Sequence, residues 1–414
     1  MHIPLFDSFP HPAKKRIAVH VTPAAERAIK QGHPWLFDQG IRKQSHEGQA
    51  GDLAVIFDKK RQFLAIGLYD PQSPIRVKIL QHRTQVTINH DWLADKLAKA
   101  IEIRRPLAES SHTNGYRLIY GENDGLPGLI VDRYVDTLVV KLYTMAWIPH
   151  LRDVLPTLLD LQPASQIVLR LARNIQKPAR KYDLQDGQVL FGDSIDAPIV
   201  FHENGLKFSA DVIHGHKTGF FFDHRDNRAR VRDLSQSKQV LDVFAYNGGF
   251  SLYAGDGGAE SVLSLDISEP ALKSAEANFT LNQDRLNIAN TTHDIMVGDA
   301  FDSMAQLARD KRHFDLIVVD PPSFAKRQNE VDGALIAYTR LAELALDLLR
   351  PQGILVMASC SSRVNADVFF DLITNTIQRS NRDYDEIART RHALDHPIGF
   401  PEGAYLKCLF ARIS

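Results

Sequence analysis

The chain has 414 residues, 44% hydrophobic and 24% charged, which suits two or three domains with full cores in a soluble globular protein. No apolar stretch approaches the ~20 residues of a membrane helix, "MHIPLFDSFPHPAKKR" lacks the apolar segment of a secretory signal, and two distant cysteines suggest reduced thiols in a cytoplasm. The net charge of −1 is uneven: residues 1–90 hold 13 Lys and Arg against 7 Asp and Glu, the rest 36 against 43. A basic N-terminal module implies a polyanionic partner, with chance surface composition as the alternative.

Residues 17–82 read as short strands punctuated by Gly and Pro: "RIAVHV", "GDLAVIFD", "QFLAIGLYD" and "IRVKIL", the pattern of a small β-barrel. "GHPWLF" (32–37) lies inside it. "DWLADKLAKAIEIRR" (91–105) has helical spacing and an Asp at its start. A mixed segment follows over roughly 116–200, with strands "YRLIYGE", "GLIVDRY", "TLVVKLY" and "SQIVLRL" and a helix near 147–160. From about 238 the pattern alternates strand and helix: "KQVLDVFAY", "AESVLSLDIS", "THDIMVGDA", "FDLIVVD" and "GILVMASCS" each precede a helical stretch. "YDEIARTR" and "AYLKCLFARI" have no helix between them and suggest an antiparallel hairpin. The alternation predicts a parallel, doubly wound α/β sheet, with ligands outside the carboxyl ends of its strands.

Chemistry-bearing residues collect on that rim. The first strand–turn–helix, "LDVFAYNGGFSL", is not GxGxxG. It places Asp242 in the strand and Gly248–Gly249 in the turn, where glycine admits close backbone approach. Asp266 ends the second strand, placed to accept both hydroxyls of a ribose, with Ser268 as the better helix cap. Asp299, with Ala300 after it, follows the third strand, placed for an adenine amine or for a helix cap. Asp320 ends the fourth in "VVDPPSF", whose prolines stiffen the loop; Phe324 is placed to stack on a planar base. Acids at four strand ends, without a phosphate-binding turn, suit a cationic adenosine ligand such as S-adenosylmethionine.

Cys360 ends the fifth strand in "GILVMASCSS". One reading is a small buried core thiol; the other is a nucleophile. A thiolate that adds to carbon 6 of a pyrimidine makes carbon 5 nucleophilic enough to accept a methyl group. Asp320 is the acid placed to protonate or hydrogen-bond the ring. A base must then remove the carbon-5 proton, and no residue in the sequence stands out for it. Cys408 in "YLKCLFARI" reads as core.

Together "GHPWLF", "YGENDGLPGLIVDRY", "KTGFFFDHRDNR", "LDVFAYNGGFSL", "DPPSFAK", "SCSS" and "DHPIGFPEGAYLK" resemble the bacterial 23S ribosomal RNA cytosine-5 methyltransferases of the RlmI type, from about residue 17 to the end. The resemblance implies a PUA-like RNA-binding domain (1–86), a central α+β RNA-binding domain (87–205) and a class I, Rossmann-like methyltransferase domain (206–414). It implies that Asp242, Phe244, Asn247, Gly248, Asp266, Ser268, Asp299 and Ala300 bind S-adenosylmethionine. "KTGFFFDHR", with Phe221, Asp223 and Arg225, would close over it; the relatives more often have Gln where His224 stands. Cys360 and Asp320 would flank the base, with Pro321 and Phe324 beside it. Ser323 stands where another cytosine-5 family has a second cysteine, so one cysteine would do the work. Arg170, Arg173, Lys177, Arg180 and Lys181 form a basic stretch that would grip phosphates, or a solvated loop. The expected partner is large-subunit ribosomal RNA; a homodimer is an alternative to a monomer, and neither membrane nor metal is expected. Guanine methylation on the same fold, an inert RNA-binding assembly factor and an NAD-dependent oxidoreductase are the competing readings.

Overall fold

The computed structural model describes residues 9–414, so the first eight residues of the expected 1–86 module lie outside it. The chain divides into two compact units. One comprises the chain up to Phe201 with Ala210–Phe221 and Leu394–Pro401; the other comprises His202–Ser209, Phe222–Ala393 and Glu402–Ser414.

The first unit holds two sheets. Six strands between Ile17 and His82, with the helix Pro23–Lys30, enclose Ile17, Val19, Ile29, Leu36, Ile56 and Val77. Each such side chain, fully buried, stabilises the fold by about 1.5–3 kcal/mol. The second sheet has five strands in sequence order: Gly115–Tyr120, Leu129–Tyr134, Thr137–Leu142, Gln166–Leu171 and Gln188–Phe191. Its third and fourth strands are parallel, so a crossover is needed, and the helix Leu151–Leu161 lies in that connection. Leu394–Pro401 completes this unit. The Arg117 N–H donates to Asp395 Oδ2 at 2.8 Å, Arg104 Nη2 donates to the Asp395 carbonyl at 2.9 Å, and the Phe400 ring lies 5.2 Å from Trp35.

The second unit is a seven-stranded sheet. Its strands are β1 (Gln239–Val243), β2 (Ser261–Asp266), β3 (Thr292–Val297), β4 (Phe314–Val319), β5 (Leu349–Ser359), β6 (Tyr384–Thr390) and β7 (Lys407–Ile413). The order is β3-β2-β1-β4-β5-β7-β6. β1 to β5 are parallel, and β7 runs antiparallel to both β5 and β6, the expected hairpin. The central strands "QVLDV" and "FDLIVV" are apolar because helices cover both faces. The helices start where the sequence offers caps: Ser268 accepts from Ala271 N, Asp299 from Phe301 N and Asp302 N, and Asn365 from Asp367 N. Strand order reverses between β1 and β4, which puts the ends of those two strands at the switch point where such sheets bind ligands.

Candidate functional site

The turn after β1 is built from left-handed residues. Phe244 has φ 65°, Tyr246 φ 50° and Gly248 φ 74°. For two aromatic residues this costs of order 1 kcal/mol each, and the surrounding structure must hold it. Gly248 is required: a Cβ there would lie 2.7 Å from the Ala275 Cβ on the neighbouring helix Glu269–Leu281. The Asn247 carbonyl accepts from Asn278 Nδ2 at 3.0 Å. Asp266 ties this turn to the next: its Oδ2 accepts the Tyr246 N–H and its Oδ1 the Ser268 N–H, both at 2.9 Å. Each oxygen retains a lone pair for a ligand hydroxyl.

Asp242 is 1% exposed. Its Oδ2 accepts from Ser251 N at 3.0 Å and Ser251 Oγ at 2.6 Å, while its Oδ1 is buried with no hydrogen-bond partner among the described residues. Burial pushes its carboxyl up to about 7; the Ser251 bonds oppose this, and the negative charges of Asp320 and Asp266 add to it.

On the other side of the switch point, the Asp320 N–H donates to the Val243 carbonyl at 3.3 Å, which ties Asp320 to β1. Cys360 follows β5 directly and is half-buried. Its thiol donates to the carbonyl of Pro321 at 3.7 Å, so the sulfur lies beside the residue that follows Asp320. Cys408, by contrast, is 0% exposed, and burial pushes its thiol well up. The loop after Cys360 is held by Lys407, 1% exposed, whose ammonium donates to the carbonyls of Ser361, Val364 (2.8 Å) and Tyr405 (3.1 Å). Burial pulls Lys407 down to about 8, against the charge of Cys360, which raises it. Lys407→Met strips one ammonium from three carbonyls. It is expected to lower the stability of this unit by about 2–4 kcal/mol in urea unfolding, while Lys407→Arg, which keeps the charge, loses less.

The segment before the sheet was expected to close over the cofactor. Asp223 accepts from the Tyr405 hydroxyl at 2.8 Å. Arg225 instead has its Nε 3.6 Å from Glu203 Oε2, in a buried cluster where Arg228 forms two bonds to the same carboxylate at 2.9 and 2.8 Å. Phe221 belongs to the first unit, where the Lys217 ammonium lies 4.3 Å from its ring.

Two further expectations are revised, and the helix caps stand where the sequence offered them. Arg170 is buried and held by Asp186 Oδ1 at 3.1 Å and by the carbonyls of Val212 and Gly215, so it is no surface phosphate contact. Arg173, Lys177, Arg180 and Lys181 remain exposed on and just after the helix Arg173–Ala179. Phe324 packs at 5.2 Å against Tyr338 and is partly buried at the core edge, which limits the ring face left for a base. Ser268 Oγ caps its helix, 3.4 Å from Ala271 N, and Asp299 caps the next through Oδ1 alone. Lys407 has no place in the sequence reading of this site, and His224 enters it only as a departure from the Gln of the relatives.

Asp242, Asp266 and Asp320 therefore lie close enough to act on one another at this end of the sheet, and Asp299 follows β3 on the same rim. A buried carboxyl oxygen without a partner, an acid with lone pairs to spare and a glycine turn fit a ligand that carries an ammonium, a ribose and a positive sulfur. Among the described residues no group of His, Cys, Asp or Glu could hold a metal ion, and no helix is long and apolar enough to cross a membrane.

A sheet in this order with acids at these strand ends defines an S-adenosylmethionine-dependent methyltransferase. The family model of that description matches residues 116–410, and a PUA-like domain model matches residues 19–82. A ribosomal RNA large subunit methyltransferase of Deinococcus radiodurans is 44% identical over 98% of this chain and 100% of its own. Ribosomal RNA large subunit methyltransferase I of Aliivibrio fischeri (strain ES114) is 33% identical over 96% of this chain and 99% of its own. The chain belongs to this large-subunit methyltransferase I family of S-adenosylmethionine-dependent methyltransferases, and S-adenosylmethionine is its cofactor. Among solved structures, a methyltransferase complexed with SAH has the same fold: TM-score 0.80 at 21% identity, over 96% of this chain and 99% of that one.

Proposed function

We propose that this protein methylates carbon 5 of a cytosine in large-subunit ribosomal RNA through a covalent adduct on Cys360. The relatives act on that RNA by name, and one observation carries the choice of base and atom. Cys360 lies half-exposed at the end of β5, with its sulfur 3.7 Å from the carbonyl of Pro321, next to Asp320. Guanine methylation needs no such sulfur.

The bound cofactor supplies the methyl group as an electrophile on a positive sulfur. Asp242, Asp266 and Asp299 hold it by charge and by hydrogen bonds to its amine and hydroxyl groups. Cys360 forms the bond to carbon 6 as a thiolate, and Asp320 stabilises the charge that develops on the ring. Once carbon 5 has taken the methyl group it loses its proton, and the Cys360–carbon 6 bond breaks to return the thiolate.

The test is mass spectrometry of nucleosides from 23S ribosomal RNA of cells with and without this protein. One 5-methylcytidine is expected to disappear. A methylated guanosine that disappears instead, with 5-methylcytidine unchanged, overturns the reading in favour of guanine methylation.

We further propose the 1–86 and 87–205 segments as the RNA-gripping part, with Arg173, Lys177, Arg180 and Lys181 contacting phosphates. Replacing Arg173 and Lys177 together by Ala removes two such contacts. It is expected to weaken RNA binding by about tenfold and to flatten the slope of log affinity against log salt by roughly 1.5–2, while cofactor affinity stays unchanged in calorimetry.

A further inference from the structure

His224 is buried at the active-site end of the sheet. Its Nε2 lies 3.4 Å from Asp320 Oδ1, within ion-pair range though long for a hydrogen bond. Its Nδ1 lies 3.0 Å from Asn227 Nδ2, and its ring packs edge-on against Phe250, 5.3 Å away. Asn227 in turn accepts from the Thr390 hydroxyl through its Oδ1, and that hydroxyl also lies 3.4 Å from the Cys408 carbonyl.

This chain can satisfy two protonation states. With His224 neutral, Thr390 donates to Asn227 Oδ1, Asn227 Nδ2 donates to Nδ1, and the Nε2 proton faces Asp320. With His224 charged, the Thr390 hydroxyl turns to the Cys408 carbonyl and the Asn227 amide flips, so that its oxygen accepts the new Nδ1 proton. Nδ1 keeps a partner in both, and Nε2 faces Asp320 across 3.4 Å, a charge contact and not a hydrogen bond. A group of purely steric purpose needs only one such arrangement.

The charges around the ring favour holding the proton. Asp320 faces it from the end of β4 and Asp223 from its own turn. Arg228 faces it from the helix Arg225–Asp233 but is already paired with Glu203, and the helix Gly249–Asp256 presents the Phe250 ring. Burial alone pulls the imidazolium down; the negative charges of Asp320 and Asp223 more than offset it, and the net shift is upward.

We propose that His224 is a positioning residue for Asp320, and that the pair holds the proton that the ring nitrogen N3 of the target cytosine takes up. The inference rests on the cytosine-5 reading above. As the Cys360 thiolate bonds to carbon 6, the carbon 5–carbon 6 electron pair shifts to carbon 4–carbon 5, and the carbon 4–nitrogen pair shifts to N3. N3 then takes the proton that passes from the His224 imidazolium through the Asp320 carboxylate, which leaves His224 neutral and Asp320 ionised. When carbon 5 has been methylated and has lost its own proton to a separate base, the shift reverses: N3 returns its proton to the pair and the thiolate departs. One proton leaves and one returns, so the pair ends as it began.

The experiment compares wild type with His224→Gln, the residue more frequent in the relatives, which keeps a donor toward Asp320 but holds no proton, so the role is assigned to this chain's own pair. In wild type, kcat/KM for RNA is expected to fall on the alkaline side of an ionisation above 6.5, as the pair loses its proton. In His224→Gln that alkaline limb is expected to vanish and kcat at neutral pH to fall at least about tenfold, with KM within about threefold. An unchanged profile with kcat within threefold overturns the proposal while leaving the cytosine-5 reading intact. A wild type that forms no 5-methylcytidine overturns that reading itself. A measurement without RNA guards against misfolding of the variant: the carbon-bound proton of His224, followed by NMR, should titrate at lower pH in Asp320→Asn than in wild type. Identical titration in the two proteins overturns the pairing.

Discussion

Cys360→Ala is expected to abolish 5-methylcytidine formation, with a fall of at least ~10⁴ in rate, and to leave cofactor binding and folding nearly untouched. The sulfur is half-exposed and donates a weak bond, 3.7 Å long, to Pro321, so its removal leaves no large cavity. The loss of stability should stay below about 1 kcal/mol. Cys408→Ala is the control and should behave in the opposite way. That thiol is fully buried among β5–β7 residues, with Thr390 beside it, so its loss costs about 1–2 kcal/mol of stability and little activity. Wild type incubated with RNA carrying 5-fluorocytosine should give a protein–RNA adduct that survives denaturing electrophoresis. Cys360→Ala should give none. A variant that still methylates at a tenth of the wild-type rate would remove the covalent route.

Asp242→Asn is expected to do two opposed things: stabilise the protein without ligand at pH 8 and weaken its hold on the cofactor. The wild-type carboxyl is fully buried, and burial raises it from 3.8 to about 7. The sign follows from proton linkage. Between these two values the native state keeps a proton that the unfolded state has released, so stability falls as pH rises through that window. Above about pH 7 the full penalty is present, of order 4 kcal/mol. Asparagine never ionises and still offers an oxygen to Ser251. At pH 8 its melting temperature should therefore exceed that of wild type by several degrees, and near pH 4 the two should nearly coincide. Cofactor affinity, by contrast, should drop at least about tenfold, because the oxygen without a partner is the group that a ligand ammonium completes. In wild type, cofactor binding should release protons near pH 7 and tighten as pH rises, which calorimetry in buffers of different ionisation enthalpy reads directly. A variant that is both less stable at pH 8 and undiminished in affinity would show that the carboxylate is paired in the free protein.

Much of the catalytic unit was legible in the sequence because parallel strands buried on both faces leave unbroken apolar runs. "VLDV", "LIVV" and "ILVMAS" announce themselves, and the acids that end such runs share one rim whatever the strand order. The residues that were not legible depend on contacts across long separations. His224 stands 96 residues before Asp320, and nothing local ties one to the other. Lys407 looks like a stray polar residue before an apolar strand until its ammonium is seen under the Cys360 loop. Arg170 was placed with its basic neighbours because its partner, Asp186, comes 16 residues later, beyond a helix that turns the chain. Arg225 was read with the motif around it, whereas Glu203 determines its place. The strands Ile41–Gln44 and Gln188–Phe191 are four residues each and part polar, too short for alternation to show.

The return of Leu394–Pro401 to the first unit bears on how the protein is made. Arg117 and Asp395, joined by a hydrogen bond, are 278 residues apart. At 5–20 residues per second a ribosome needs roughly 15–55 s to deliver the second after the first. Once Phe221 has emerged the amino-terminal portion has nearly all of its own residues, yet it still lacks its final staple until Leu394–Pro401 follows. Shortening the chain from its carboxyl end should therefore injure the part made first, and fragments cut at the apparent module junctions should be poor substitutes for the whole.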